Sequence, residues 1–128
     1  MGLVKTMTEI TVLVAAGGST RSRVRRAIAA AGMTVAADCT TAAEAIETAA
    51  RRHPDVCVLV RGLPGGVLAA TAAIGLPREP SKVLVVGGAS PAEVRAARLA
   101  GAADCLSSDA GDAELAAAIV ALVRKELE

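Results

Sequence analysis

The chain has 128 residues, a formal net charge of +1 at pH 7 and a hydrophobic content of 53%, and it contains no Phe, Tyr or Trp. This length is typical of a single domain, and no apolar run approaches the roughly 18 residues of a membrane span. The near-neutral charge and the missing aromatic side chains argue against a nucleic-acid-binding surface, which needs a basic excess and stacking platforms. We therefore expect neither a membrane nor a nucleic acid as a partner of this chain.

Five apolar runs of strand length alternate with alanine-rich stretches that carry helix start and stop signals. The runs are residues 10–15, 33–37, 56–60, 83–86 and 103–106. The pattern therefore predicts five β–α units in one domain, residues 10–128, preceded by an N-terminal tail of residues 1–9.

Capping and terminating residues mark the boundaries of the predicted helices. Gly32 and Gly101 lie where two of the helices are expected to end. The segments TAAE at 41–44 and SPAE at 90–93 have the pattern of capping boxes, the second with a proline at the first helical position. Residues 51–54, RRHP, combine basic residues with a proline and are typical of a helix end.

Continuous apolar strands, as opposed to alternating ones, predict a parallel sheet that is covered by helices on both faces. Right-handed crossovers and the length of the chain then favour an open, doubly wound sheet with the strand order 2-1-3-4-5. In this order the ligand crevice lies beyond the carboxyl ends of strands 1 and 3. Those ends are residues 16–19, AGGS, and residues 60–63, VRGL.

The cysteines and the histidine do not form a recognisable site. Cys39, Cys57 and Cys105 are an odd, widely spaced set without a CxxC pair, which indicates reduced thiols and a cytoplasmic location. With His53 as the only histidine, a structural zinc site is not expected. No nucleophile with a partnered base is visible, so the sequence predicts neither an enzyme nor a bound cofactor.

From about residue 10 to residue 126, the sequence resembles the receiver domains of two-component response regulators. The segments that carry the resemblance are ITVLVA in strand 1, AAGMTV into strand 2, TTAAEAIETAARRHPDVCVLV into strand 3, LPGG after it, KVLVVGG in strand 4 and EVRAARLAGAADCL into strand 5. The resemblance implies a flavodoxin-like (βα)5 domain in a protein of signal transduction or transcription regulation. It also implies a phosphorelay chemistry at the carboxyl edge of the sheet.

The phosphorelay residues that the resemblance implies are absent at the centre of the site. Receivers accept a phosphoryl group on an aspartate that aligns with Val60, and an acidic pair that aligns with Ala16 and Gly17 holds Mg²⁺. Valine has no nucleophilic oxygen, and alanine and glycine have no side-chain oxygen for a metal. A shifted alignment does not supply a phosphoryl acceptor either, because no Asp or Glu occurs between Val56 and Arg78.

The accessory positions of the site are also replaced. A family Thr or Ser aligns with Gly87, a lysine aligns with Ser108, and the aromatic switch residue aligns with Cys105. We therefore expect a pseudo-receiver without a metal site, which acts as a phosphorylation-independent interaction or dimerisation module. Regulators of this type often continue into a helix-turn-helix reader, so we expect the chain to be the N-terminal part of a larger regulator, with a kinase or an output domain as a partner.

A glycine-rich loop suggests a second function, a small-molecule sensor. Gly17, Gly18, Ser19, Thr20 and Arg21 follow strand 1 and open the first helix, whose free N–H groups and positive potential suit an anion or nucleotide. The alternative explanation is a tight β–α turn in which Ser19 or Thr20 caps the helix. Sequence alone leaves both explanations open.

The first predicted helix carries a dense basic cluster, formed by Arg21, Arg23, Arg25 and Arg26. Three of the four arginines fan over the arc opposite the apolar stripe of the helix, which is typical of a solvated face. The other interpretation is a docking surface for an acidic protein, since histidine kinases dock on the first helix of receivers.

The last helix, residues 112–127, has an apolar arc of roughly 160°, which is wider than packing on a sheet requires. A first stripe around Ile119 is expected to dock on the sheet. A second stripe includes Val120, Val123 and Leu127, which we expect to face solvent in part and to form a homodimer interface.

Overall fold

Within the described residues, five parallel strands alternate with five α-helices. The computed structural model describes residues 6–77, 81–87 and 90–127, and the side chains of the last helix as far as Arg124. The strands are β1 (Thr11–Ala15), β2 (Thr34–Cys39), β3 (Val56–Val60), β4 (Lys82–Val86) and β5 (Asp104–Leu106). The helices are α1 (Gly18–Ala30), α2 (Ala42–Arg52), α3 (Val67–Gly75), α4 (Pro91–Leu99) and α5 (Asp112–Leu127). None of these helices is long and apolar enough to cross a membrane.

The strands form one parallel sheet with the order β2-β1-β3-β4-β5. In the centre, Val14 of β1 pairs with Val58 of β3, while the register against β2 shifts between Val12 and Leu13. The prediction of a doubly wound (βα)5 domain with this strand order is confirmed. The carboxyl ends of β1 and β3 therefore lie side by side, where the predicted site was expected.

Side chains of the strands alternate between two cores because successive residues of a strand point to opposite faces of the sheet. One core joins the sheet to α1 and α5, and the other joins it to α2, α3 and α4. The first contains Val14, Val58, Val60, Val86, Val24, Ile28, Leu115 and Ile119. The second contains Leu13, Cys57, Leu59, Val85, Ala45, Ala70, Ile74 and Ala97.

Helices α2 and α4 begin at the predicted caps, but only α4 has the complete capping box. The Ser90 Oγ accepts from the Glu93 N–H at 3.2 Å, and the Glu93 carboxylate accepts from the Ser90 N–H at 3.4 Å. Thr41 likewise accepts from the Glu44 N–H at 3.2 Å. The Glu44 carboxylate, however, accepts from the Thr40 N–H at 2.7 Å, one residue before the cap. The capping box predicted at 41–44 is therefore wrong in its second half.

Val123, in the second apolar stripe of α5, is buried, contrary to prediction. Val123 is only 4% exposed and belongs to the core that contains Val24 and Ile28 of α1. Val120 is half-buried and packs against the same cluster, while the side chain of Leu127 lies outside the described residues. The expectation that Val123 faces solvent is wrong because α1 packs beside α5 and covers the stripe from that side.

The described part of the predicted N-terminal tail, residues 6–9, packs on the domain. Met7 packs partly buried against the α1–α5 core, and the Thr34 Oγ1 of β2 donates to the Thr8 carbonyl oxygen at 2.7 Å. Residues 7–9 form a 3₁₀ turn that leads directly into β1. Residues 1–5 lie outside the described residues.

Candidate functional site

Apolar groups occupy the carboxyl edge of β1 and β3. Ala16 is fully buried, and its N–H donates to the Cys39 carbonyl oxygen at 3.1 Å, which continues the ladder between β1 and β2. Val60, the last residue of β3, is 9% exposed and packs in the α1–α5 core. Only Gly17 is exposed, and it has no side chain. The centre of the predicted site is thus a continuation of the hydrophobic core.

The residues at this edge do not fit the Mg²⁺ ion that the resemblance implies. Magnesium is held by carboxylates and other oxygen ligands, and Ala16, Gly17 and Val60 have no side-chain oxygen. In the described ranges of the chain, no three His, Cys, Asp or Glu residues lie close enough together to hold a metal ion. Arg61, which follows Val60 directly, adds a positive charge where a receiver needs a negative one.

Arg61 takes up the space beside Gly87. The Arg61 N–H donates to the Val86 carbonyl oxygen at 2.8 Å, so the two strand ends are held together. Gly87 has a φ of +110°, and a Cβ added to it would lie 2.6 Å from the Cβ of Arg61. A Thr or Ser, which the resemblance to receivers implies at this position, would therefore clash with Arg61 and would need a backbone conformation that only glycine adopts easily.

The Arg61 guanidinium forms an ion pair with Glu93, the third residue of α4. The Glu93 carboxylate also accepts from the Ser90 Oγ at 2.9 Å. The hydrogen bond from the Ser90 side chain lowers the pKa of Glu93, and the nearby Arg61 charge lowers this pKa further. The loop after β3 and the start of α4 are therefore joined by charge across the edge of the sheet.

A small cleft lies between α3 and α4 beside this ion pair. Its volume is about 240 Å³, which is below the range of roughly 300–1,000 Å³ that is typical of small-molecule sites. Arg61 and Glu93 are its charged lining residues, and apolar side chains such as Val67, Leu68 and Ala96 line much of the rest. Its mostly apolar lining is more typical of a groove between packed helices than of a site for a polar ligand.

The two remaining positions of the predicted site also lack the side chains that the resemblance implies. Ser108 is exposed in the turn after β5, and Cys105 is half-buried on that strand. Burial raises the pKa of the Cys105 thiol and of the Cys39 thiol. It raises the pKa of Cys57 to about 12. These thiols are protonated at neutral pH, so they are poor nucleophiles.

The glycine-rich loop begins α1 in an open position. Gly17 is the N-cap residue and makes no side-chain hydrogen bond, so the expectation that Ser19 or Thr20 caps the helix is wrong. Both residues lie in the first turn, and Gly18 has a φ of +59°. A Cβ at Gly17 or Gly18 would meet nothing within 4 Å. The loop is therefore accessible, but the side chains of Ser19 and Thr20 do not form a preorganised anion site.

The basic cluster of α1 is partly neutralised by Asp38 of β2. The Arg21 Nε lies 3.5 Å from the Asp38 Oδ1, and the Arg25 Nη1 lies 3.1 Å from the Asp38 Oδ2. Arg23 and Arg26 are exposed, as the interpretation as a solvated face predicts. Because Arg21 faces a carboxylate, less of its charge is available to an anion at the glycine-rich loop.

Two features of this region were not predicted from the sequence. The ion pair of Arg61 with Glu93 joins residues that are far apart in the chain, and the sequence pattern identifies Glu93 only as a capping residue. The apolar outer side of helix α3 was not predicted either, although a sequence signal is present: residues 62–77 contain no charged residue.

Solved structures resemble the chain, although no protein-family model and no curated protein matches it. The signal receiver domain of the response regulator NarL from Mycobacterium tuberculosis is 28% identical, with a TM-score of 0.84 over 90% of this chain and 96% of that one. A LuxR-family two-component response regulator from Aurantimonas sp. is 24% identical, with a TM-score of 0.80 over 90% and 85% of the two chains.

A third similar structure is the receiver domain of the sensor histidine kinase PA1611 from Pseudomonas aeruginosa. It is 18% identical, with a TM-score of 0.77 over 89% of this chain and 97% of that one, and it has a magnesium ion coordinated in its active-site cleft. The present chain thus shares the fold of that domain, while Ala16, Gly17 and Val60 supply no side-chain oxygen for a metal. The predicted resemblance is confirmed: the chain has the fold of the receiver domains of two-component response regulators, which supports a role in signal transduction.

Proposed function

We propose that the chain is a phosphorylation-independent receiver domain, a protein-interaction module of signal transduction or transcription regulation in the cytoplasm. The observation that carries the proposal is the apolar edge of the sheet at Ala16, Gly17 and Val60. Phosphoryl transfer to a receiver needs a carboxylate nucleophile and a bound metal. An edge that continues the hydrophobic core provides neither of them.

The ion pair between Arg61 and Glu93 supports a surface that is independent of phosphorylation. It connects the loop after β3 with α4 through charges of the chain itself. In this proposal the position of α4 is held without a phosphoryl group. The domain then presents one constant surface to a second copy, a kinase or an output domain.

Intact-mass spectrometry after incubation with Mg²⁺ and acetyl phosphate tests the proposal. We expect no mass increase for the wild type. We also expect none for Val60→Asp, since this variant still lacks the metal ligands at Ala16 and Gly17. A single phosphoryl group on the wild type, stable in acid and labile in base as an acyl phosphate is, would contradict the proposal.

The alternative is a small-molecule sensor at Gly17–Arg21. The exposed start of α1 favours it, whereas the pairing of Arg21 with Asp38 weakens it. Backbone NMR during titration with inorganic phosphate and with ATP separates the two functions. Saturable shifts confined to residues 17–21 and 61–63 would favour the sensor, and unchanged spectra would favour the interaction module.

Homodimerisation is one form that the proposed interaction can take, but the α5 stripe is a weak candidate for its interface. Val123 is buried in the core of its own chain, and Val120 is half-buried beside it. A dimer therefore needs a different apolar surface.

A further inference from the structure

Helix α3 has an apolar side that faces solvent. Its sequence, VLAATAAIG, contains no charged residue. Its single polar side chain, Thr71, is buried and donates to the Val67 carbonyl oxygen at 2.7 Å. Leu68 is 44% exposed, and Leu76, at the end of the helix, is 62% exposed. A surface helix normally carries polar residues on its outer side, so an outer side without them indicates a partner.

The neighbouring helices extend this apolar surface on both sides. Leu99 of α4 is 78% exposed, more than any other large hydrophobic residue in the described part of the chain. Leu76 lies against Gly101, two residues after Leu99, which places the two leucines in the same region. On the α2 side, Ala50 is exposed beside α3. We call this surface the α3 face; it consists of Leu68, Ala69, Ala73, Leu76, Leu99 and Ala50.

The shape of the α3 face is a ridge between two grooves. A groove of about 200 Å³ lies between α2 and α3, where Ile46 and Ala73 contribute to its walls. The cleft of about 240 Å³ lies on the other side, where Leu68 and Ala96 contribute to the walls. Helices pack by inserting ridges into grooves. A surface that offers a ridge and grooves of similar size can therefore pack against a copy of itself.

Exposed charges of opposite sign lie on the two helices that flank α3. Glu47 lies on α2, where it forms a long ion pair of 3.9 Å with Arg51, and Arg95 lies on α4. A twofold axis parallel to α3 places α2 of one copy opposite α4 of the other. Glu47 of each copy then faces Arg95 of its partner. The interface therefore contains this pair twice, as an isologous interface requires.

We propose that a second copy of this chain docks on the α3 face, with Leu68, Leu76 and Leu99 at its centre. This inference rests on the proposed function as an interaction module. The interface is small because it consists of α2, α3 and α4 only. Their axes are about 10 Å apart, and α3 is about 14 Å long. Interfaces at this end of the size range bury about 600 Å² or less per partner, so we expect a dimer of micromolar affinity.

Sedimentation equilibrium from about 1 μM to about 1 mM tests the inference. The double variant Leu76→Gln, Leu99→Gln should weaken the dimer at least about tenfold, because it replaces exposed leucines at the centre of the interface. The matched control Ala121→Gln changes an exposed position on α5 and should leave the dissociation constant unchanged. Circular dichroism and urea denaturation establish that each variant is folded.

A charge-reversal cycle tests the orientation of the two copies. Glu47→Lys and Arg95→Glu should each weaken the dimer about threefold, and the two changes together should restore it. A wild type that stays monomeric at about 1 mM, or a dimer that the leucine variant leaves unchanged, would overturn the inference. So would a dimer that Ala121→Gln weakens, since the interface would then lie on α5.

The two proposals can fail separately. A monomeric wild type that takes up no phosphoryl group would overturn the α3 interface and leave the proposed function standing. A wild type that dimerises through the α3 face and accepts a phosphoryl group would overturn the proposed function alone.

Discussion

Arg61 makes three contacts at the carboxyl edge of the sheet. Its N–H bonds to the end of β4, its Cβ fills the space beside Gly87, and its guanidinium pairs with Glu93 of α4. The preceding residue, Val60, is part of the core. At the scale of the residue, an arginine thus makes the connections at an edge where a receiver with phosphorelay chemistry uses an acidic site.

Gly87→Ala should lower the free energy of unfolding by about 2–3 kcal/mol. The new Cβ would lie 2.6 Å from the Cβ of Arg61, on a backbone with a φ of +110°. Gly17→Ala is the matched control, because Gly17 has a φ of −90° and open space around it. Urea denaturation of both variants measures the difference. Equal stability of the two would show that Arg61 does not restrict position 87.

Glu93 should make the stability of the domain depend on pH in the acidic range. Its pKa is lowered in the folded state, first by the Ser90 side chain and then by Arg61. Its stabilising effect is therefore complete above about pH 4.3, the ordinary pKa of glutamate, and is lost as the pH falls through the lower folded value. The difference in unfolding free energy between the wild type and Glu93→Gln should shrink in that range.

Two further variants separate the causes of this pH dependence. Ser90→Ala removes the larger cause of the lowered Glu93 pKa and should reduce the pH dependence more than Arg61→Met does. Urea denaturation between neutral pH and pH 3 provides the measurement. The opposite order would mean that the ion pair, and not the cap, holds the carboxylate in its charged form.

At the scale of the element, the described part of α5 buries its first apolar stripe and Val123 of the second. The first stripe packs on the sheet, and Val123 of the second packs in the core that includes α1. Helix α3 shows the reverse case, since its outer side is apolar but no described element covers it. Both helices have an apolar arc that is wider than packing on the sheet requires. In α5 a neighbouring helix buries part of the additional arc, whereas in α3 the additional arc stays exposed.

Val123→Asp should lower the free energy of unfolding by about 3 kcal/mol or more, because it buries an unpaired carboxyl group. Ala121→Asp, an exposed position two residues earlier on the same helix, should change stability by about 0.5 kcal/mol or less. Thermal denaturation of the two variants provides the comparison. If Val123→Asp were as stable as Ala121→Asp, the valine would face solvent, as its sequence pattern predicted.

At the scale of the whole molecule, the domain should be stable without a divalent metal. Receivers with an acidic site gather like charges, which disfavour folding until a cation binds. Here the aligned positions are Ala16, Gly17 and Val60, so millimolar Mg²⁺ should leave the melting temperature unchanged. Differential scanning fluorimetry with and without Mg²⁺ checks this expectation. A rise of several degrees would reveal a ligand that binds the folded state.

The strand order could be predicted from the sequence, and the lack of a carboxylate at Ala16, Gly17 and Val60 follows directly from residue identity. Apolar runs with helix signals between them define five β–α units, and right-handed crossovers leave few arrangements of the strands. The identity of Val60 is enough to exclude an acyl phosphate there, whatever its surroundings. These properties depend on residue type and local pattern, which are visible along the chain.

Only the tertiary structure showed which surfaces are covered. The wide apolar arc of α5 indicates that the helix packs against a second surface besides the sheet. It does not show that α1 provides this surface and buries Val123. The pairing of Arg61 with Glu93 and the clash at Gly87 depend on elements that meet only when the sheet forms. The exposure of Leu76 and Leu99 has the same origin. Periodicity specifies which residues share a side of a helix, whereas burial is decided by the neighbouring elements that pack against that side.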